Sequence, residues 1–481
     1  MRAGPRTGVL RGFTGPPAPQ SLPEIPALQW VTMKTITVNL IAAMLMPCEG
    51  RTVGHLLMIE SWVGSMSRLL PRAIGEEGHR FTFLTRNLHH YLRSARPPAP
   101  HPLLAAENVL TAETNDLPAL LEYAERLHGV LGFDGVLSSC DYYLPAVARV
   151  AERLGLPGPA PRAVEAACRK DTTRRVLEDA GVPGPRHAVC RDWPGTAEAA
   201  ARIGFPLVVK PTDLCAGMYV RRVDDERQLT EAYKALGDFP VNARGQRRAS
   251  TVLLEELLTG PEISVETVSY DGTCRVVGVT DKSVGGGRAF IETGHMFPAA
   301  LDPDTVREAA DTAVAALRAL GLDQVVAHTE IKLTDDGPRV VEVNPRPAGN
   351  RITELVRHVT GIDLPAAAVD VALGNRPDLT PRDTGVRSAA IAFLLPDRGG
   401  ELAGFDGAGA AEAAPGVREL DLAAPGRNVR RATSNNDYLG HVMVTAAEEG
   451  AARGRAETVL AGLHPRWADA GGRGETEGGA A

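Results

Sequence analysis

The chain has 481 residues, a formal net charge of −7, 44% hydrophobic and 23% charged residues. It is too long for one core and ordinary in composition for a globular protein. No basic block marks a nucleic-acid surface, since Arg247-Arg248 and Arg430-Arg431 are isolated pairs. The six cysteines, Cys48, Cys140, Cys168, Cys190, Cys215 and Cys274, include no CxxC pair and no zinc-like spacing, which suits a reducing cytoplasm.

Residues 1–30 are rich in Pro, Gly and Arg without periodicity, and the extension 1–54 is expected to be disordered and dispensable. The charge and apolar run from Met33 to Met46 superficially resembles a signal peptide. It is internal and lacks small residues before a cleavage site, so a start codon assigned too early is the preferred reading. No later run reaches the ~18 apolar residues of a membrane helix.

His55–Glu60 is the first predicted strand, followed by the loop 61–65, a helical pattern through Leu69, Leu70 and Ile74, and a strand at Phe81–Thr85. A helix near 117–129 and a strand at Gly135–Ser139 repeat the βαβ pattern, which demands a parallel sheet. Loops at the carboxyl edge of such a sheet bind ligands, so Ser61, Trp62 and Asp141 are candidates. The plain alternatives are Trp62 as packing and Asp141 as a helix cap.

A second unit begins after Gly158-Pro159-Ala160-Pro161. Lys170 opens a helix to about Asp179, and a helix near 196–203 leads to the strand ending in Lys210-Pro211. Thr212–Gly217 is read as a turn with the return strand Tyr219–Val223. A Lys beside free backbone N–H groups makes a phosphate clamp. Strands follow at Thr251–Leu257, Ile263–Tyr270 and Cys274–Thr280, and the last unit holds strands at Ala389–Leu395 and 441–444 with a helix near 446–461. The Gly- and Glu-rich tail from 469 is expected to be disordered.

The segment Val340-Val341-Glu342-Val343-Asn344-Pro345-Arg346 carries the densest chemistry. Alternation puts Glu342, Asn344 and Arg346 on one strand face and Val341 and Val343 on the other. Asp335-Asp336-Gly337 turns it back on Ala327–Leu333, which brings Glu330 near Glu342. Two carboxylates and an amide suit Mg²⁺, and buried charges left without a cation are costly. Glu255, Glu256 and Leu257 could line an adenine slot, and Glu262 could accept from ribose hydroxyls.

Lys170, Val-Val-Lys210-Pro, Leu-Leu-Glu255-Glu-Leu-Leu-Thr-Gly-Pro-Glu262, Glu330 and Glu342-Val-Asn344-Pro-Arg346 occur in an order that resembles the ATP-grasp superfamily of carboxylate–amine ligases. The resemblance covers about 56–465. Ile291–Pro298, Asn344–Ile352 and Thr360–Leu364 are similar to the L-amino-acid ligase group, which forms peptide or amide bonds in bacterial secondary metabolism. It implies an α/β (α+β) ATP-grasp fold: a preATP-grasp domain at 55–160, an ATP- and Mg-binding domain at 161–385 and a C-terminal lobe at 386–468. It also implies ATP with Mg²⁺ (Mn²⁺ as a substitute), an acyl-phosphate intermediate and small amino-acid or carboxylate substrates. No nucleic acid and no membrane are expected, the location is cytoplasmic, and a homodimer is allowed.

By the same resemblance, Lys170, Lys210, Glu255, Glu256, Leu257 and Glu262 bind ATP, while Glu330, Glu342 and Asn344 hold the metal. Arg346, His295 and Lys210 act in catalysis. Glu292, His295, Arg346 and Gly349 face the substrate, with Glu292 holding an α-ammonium group. The loop Thr212–Gly217 departs from the family pattern in having one glycine, and Gly285–Gly287 is read instead as a mobile loop over the substrate. Carboxylase chemistry of the biotin or purine type and a non-catalytic nucleotide scaffold are the alternatives.

Overall fold

The structure, a computed structural model, describes residues 53–64, 66–92, 100–285 and 287–468. The expectations for residues 1–52, for Gly286 and for the tail from 469 lie outside the described residues. The fold takes in Gly54, inside the expected extension: its N–H donates to His79 Nδ1 at 2.9 Å.

Four strands, β1 (His55–Ile59), β2 (Arg80–Thr85), β3 (Asn108–Thr111) and β4 (Gly135–Leu137), form an all-parallel sheet in the order β3-β2-β1-β4. The half-buried edge strand β3 was not expected; it is only four residues long. The helix Leu117–Leu131 between β3 and β4 starts where Asp116 accepts from Ala119 N–H and ends at Gly132 in the left-handed region. β4 stops at Leu137, so Ser138 and Ser139 belong to the loop that follows. That loop and Ser61–Gly64 leave the carboxyl ends of β4 and β1.

A small antiparallel sheet, β5 (His187–Cys190), β6 (Leu207–Pro211), β7 (Arg221–Val223) and β8 (Val252–Glu256), is ordered β5-β8-β6-β7. The helices Trp193–Ile203 and Glu226–Gly237 cover its face with Leu207, Val209, Val252 and Leu254. Alternation turns Val208, Lys210 and Glu255 to the other face. The return strand β7 begins at Arg221, because Ala216 and Tyr219 take positive φ values of 56° and 59° and keep the chain coiled.

The largest sheet is antiparallel and runs β13-β12-β9-β10-β11-β14-β18-β16. Its strands are β9 (Glu262–Tyr270), β10 (Thr273–Gly285), β11 (Ile291–Phe297), β12 (Val325–Thr334), β13 (Gly337–Asn344), β14 (Ser388–Leu394), β16 (Val417–Leu422) and β18 (Gly440–Ala446). β11 pairs with β14, Gly294 opposite Ala392, so the sheet runs through the expected boundary at 386 without a break. A minor sheet joins β15 (Gly400–Asp406), β17 (Asn428–Val429) and β19 (His464–Trp467). The 18-residue helix Pro303–Leu320, capped by Asp302 and closed by Gly321, was not expected, although both signals stand in the sequence.

Candidate active site

A cavity of about 1040 Å³ lies where the three sheets meet, and every residue singled out from the sequence as a site residue lines it except Ser61 and His295. Its floor is the β12–β13 hairpin. Glu330 pairs with Glu342 and His328 with Asn344. The register then slips, so that Ile331 pairs with Val340 and Val341 is the extra residue of a bulge. This corrects the simple alternation: Val340 and Val343 enter the core, while Val341 joins Glu342 and Asn344 on the cavity side.

Two buried cation groups stand over the hairpin. Lys170, at the start of its helix, reaches Glu342 Oε1 at 2.9 Å and donates to Leu214 O at 2.6 Å. Burial opposes its charge, but Glu342 outweighs burial and raises its pKa. Lys210 reaches Glu255 Oε2 at 2.6 Å, and Arg174, one turn beyond Lys170, holds Glu255 Oε1 at 2.6 Å. Burial alone would raise the Glu255 carboxyl; Arg174 and Lys210 instead hold it at about 2. Burial lowers the pKa of Lys210, and Arg174 beside it adds to the shift. One carboxylate thus serves two cations, and this corner suits a further anion. Arg174 was not foreseen, although its i,i+4 spacing from Lys170 was visible. Both oxygens of Glu256 meet Arg186, which donates from its backbone N–H and from Nε.

The loop after Lys210 reaches the cavity through Leu214, Cys215, Ala216 and Gly217. Its left-handed turns supply the tight path that more glycines would otherwise provide. Cys215 is buried, and burial followed by Asp141 pushes its thiol well above the usual range, which leaves it inert.

On the opposite side Lys282 is fully enclosed by carboxylates: Glu330 at 2.6 Å, Glu292 at 3.0 Å and Glu262 at 3.2 Å. Burial would lower its pKa, but these neighbours raise it well above the usual value. His328 bonds Glu266 at 3.0 Å and approaches Glu330 at 3.4 Å; burial is outweighed, and its pKa rises to about 9. Carboxylates outnumber cations here, and Glu330, Glu342 and Asn344 offer the hard oxygen donors that a divalent cation prefers. The sequence reading used neither Lys282 nor His328. A lysine inside the buried part of β10 was the available signal.

Glu292 faces the cavity with its backbone fixed by Asn435 Oδ1 at 3.0 Å. Asn350 donates to its Oε2, and Asn350 and Arg351 both hold positive φ. Burial would raise the Glu292 carboxyl, but Lys282 and His295 hold it well below the usual range. His295 sits behind Glu292 at 3.2 Å, 1% exposed and edge-on to Phe393. It lies on β11 directly opposite Lys282 on β10 and, across the bulge at Thr293, on the same face as Glu292; it stands behind Glu292 and does not itself line the cavity. Arg346 donates to Asp141 Oδ1 at 2.9 Å, and Trp62 Nε1 donates to Asp141 Oδ2 at 2.6 Å. Asp141 is the first residue of the short turn Asp141–Tyr143, whose N-cap position is Cys140, so it is not the helix cap.

Three family profiles match in order: an ATP-grasp N-terminal domain over 76–158, an ATP-grasp domain over 203–354 and an L-amino acid ligase C-terminal domain over 392–468. The chain is 31% identical over 388 residues to the protein y4rH of Sinorhizobium fredii, covering 80% of this chain and 78% of that one. It is 31% identical to human carnosine synthase 1 and 26% identical to alanine–anticapsin ligase of Bacillus subtilis, over 52% and 54% of this chain. It spans 32% and 58% of their lengths. Its fold matches a solved L-amino acid ligase from Bacillus licheniformis with a TM-score of 0.70 at 23% identity, over 87% of this chain and 100% of that one.

Proposed function

The chain belongs to the ATP-grasp superfamily as an ATP-dependent carboxylate–amine ligase, and on that premise we propose that it joins an amino acid to a second amine through an acyl phosphate. The observation that carries this reading is the in-register pair Glu330–Glu342 with Lys170 and Lys210 above it in one cavity. Cations grouped around a hard-oxygen site suit transfer of a terminal phosphoryl group, which needs positioning and charge neutralisation more than covalent help.

Lys170 and Lys210 bind the phosphates of ATP, and Glu256, Leu257, Val341 and Glu262 contact its base and sugar. Glu330, Glu342 and Asn344 hold Mg²⁺, for which Mn²⁺ can substitute; when bound, the metal supplies charge neutralisation on the phosphates. Glu292, ionised and fixed by Lys282 and Asn350, receives the α-ammonium group of the carboxylate substrate. The substrate carboxylate attacks the γ-phosphorus and ADP leaves. The second amine then attacks the acyl carbon, and Arg346 donates to the oxyanion before phosphate departs. The names of the ligase relatives favour amino-acid substrates, and a role in secondary metabolism follows from the same likeness.

Single-turnover nucleotide analysis on a pair found by screening amino acids for ATP-dependent phosphate release tests this reading. ADP and phosphate are expected in step with an amide; AMP with pyrophosphate would refute it. Glu342→Gln should retain the fold and lower turnover about 10²–10³-fold. Near-normal turnover at saturating Mg²⁺ removes Glu342 from the metal site.

A further inference from the structure

The segment between the helix Glu226–Gly237 and β8 forms a finger that leaves the nucleotide-binding lobe and reaches the parallel-sheet domain. Its shape is built in. Val241 bridges Arg247, and Asn242 Oδ1 accepts from the backbone N–H of Arg244 at 2.9 Å and of Gln246 at 3.1 Å. Its base is tied to the phosphate-side loop, where Asp213 Oδ2 accepts from Ala249 N–H at 2.5 Å and Oδ1 lies 3.4 Å from Arg248.

The tip is Arg244, 6% exposed. Its guanidinium donates to Ser61 O and lies 5.7 Å from the Trp62 ring centroid and 5.4 Å from that of Tyr91. Its own carbonyl accepts from Arg86 at 2.8 Å and Asn115 at 2.9 Å. A stacked, bonded arginine fixes a neighbouring aromatic ring more firmly than a lysine can. The ring it fixes is the one whose N–H holds Asp141, and Asp141 holds Arg346. Seen from the cavity, the only direct support of the Arg346 side chain from the parallel-sheet domain among the described residues is this carboxylate.

We infer that Arg244 is a positioning residue: through Trp62 and Asp141 it sets Arg346 in place, so that amide formation depends on the finger of the nucleotide-binding lobe being docked. The inference rests on the role given above to Arg346. The linkage predicts an energetic coupling between Arg244 and Asp141, which do not bond each other, and spatial continuity alone would not establish it.

Arg244→Met and Asp141→Asn, singly and together, measure that coupling. With a substrate pair in hand, Arg244→Met should lower kcat for amide formation about a hundredfold, as a displaced reacting group does, while KM for ATP stays within about twofold. The double variant should be no slower than Asp141→Asn alone. Independent, multiplying losses, or an unchanged kcat, would overturn the inference. Should Arg244→Met fail to fold, Arg244→Lys takes its place, with a smaller loss of the same pattern. A second readout needs no ligase activity. A non-hydrolysable ATP analogue with Mg²⁺ should change tryptophan emission in the native protein, lose that change in Trp62→Phe, and lose it in Arg244→Met at unaltered analogue affinity. A native-like emission change in Arg244→Met, or none in the native protein, refutes the linkage even if the ligase assignment holds. Missing amide formation with the emission pattern intact refutes the reaction and not the linkage.

Discussion

Glu255 shows how single residues carry this site. Its two oxygens are shared between Lys210 and Arg174 in a pocket where all three side chains are at most 5% exposed. Its carboxyl falls from 4.5 to about 2, so the stability it contributes is whole above about pH 4.5 and is lost as the pH falls through about 2. Glu255→Gln, which strands two buried cations, should cost about 3–5 kcal/mol near neutral pH. The gap in thermal midpoint between native and variant should narrow steadily below pH 4.5; a gap independent of pH would show that Glu255 does not hold these cations as an ion. The charged residues of the cavity were legible because a Lys or Glu inside an apolar strand needs a reason to be there. Their partners were not legible. Nothing in the local sequence says that Glu255 answers Arg174 across 81 positions, or that Lys282 gathers three carboxylates from separate strands.

Elements were read well where one period rules. The helix from Lys170 to Asp179 and the strands around Lys210 and Glu342 stand where the pattern puts them. Pattern fails at irregularities, because a bulge adds a residue without changing composition. Val341 therefore lies on the cavity side, and only the paired register of β12 and β13 reveals it. Gly294 is a comparable case: it was quoted as part of a motif, and its reason is a neighbour. A Cβ there would lie 2.7 Å from Ile391 O on β14. Gly294→Ala should push β11 from β14 and cost about 1–3 kcal/mol. It should also raise KM for the carboxylate substrate, because Glu292 lies two residues away. Urea unfolding and steady-state kinetics check both; a native-like midpoint would mean that the strands yield without cost.

At the scale of the molecule, the parallel sheet was legible from alternation of strands and helices, whereas the lobe that carries Lys210 and Glu255 was read from its motifs. The joining of the last lobe to the rest was not, because hydrogen bonding between β11 and β14 leaves no mark on either strand's sequence. Residues 53–385 expressed alone would expose β11 as an open edge and should be insoluble or aggregate; a soluble, cooperatively unfolding fragment would show the lobe to be separable. The unbroken eight-stranded sheet also bears on how such enzymes diversify. Recombination that exchanges substrate-facing lobes between relatives cannot cut cleanly at residue 386, since the incoming strand must match an existing ladder residue for residue. Chimaeras joined at the apparent domain border should inherit the parents' sequences without inheriting their pairing, because β11 and β14 then come from different parents.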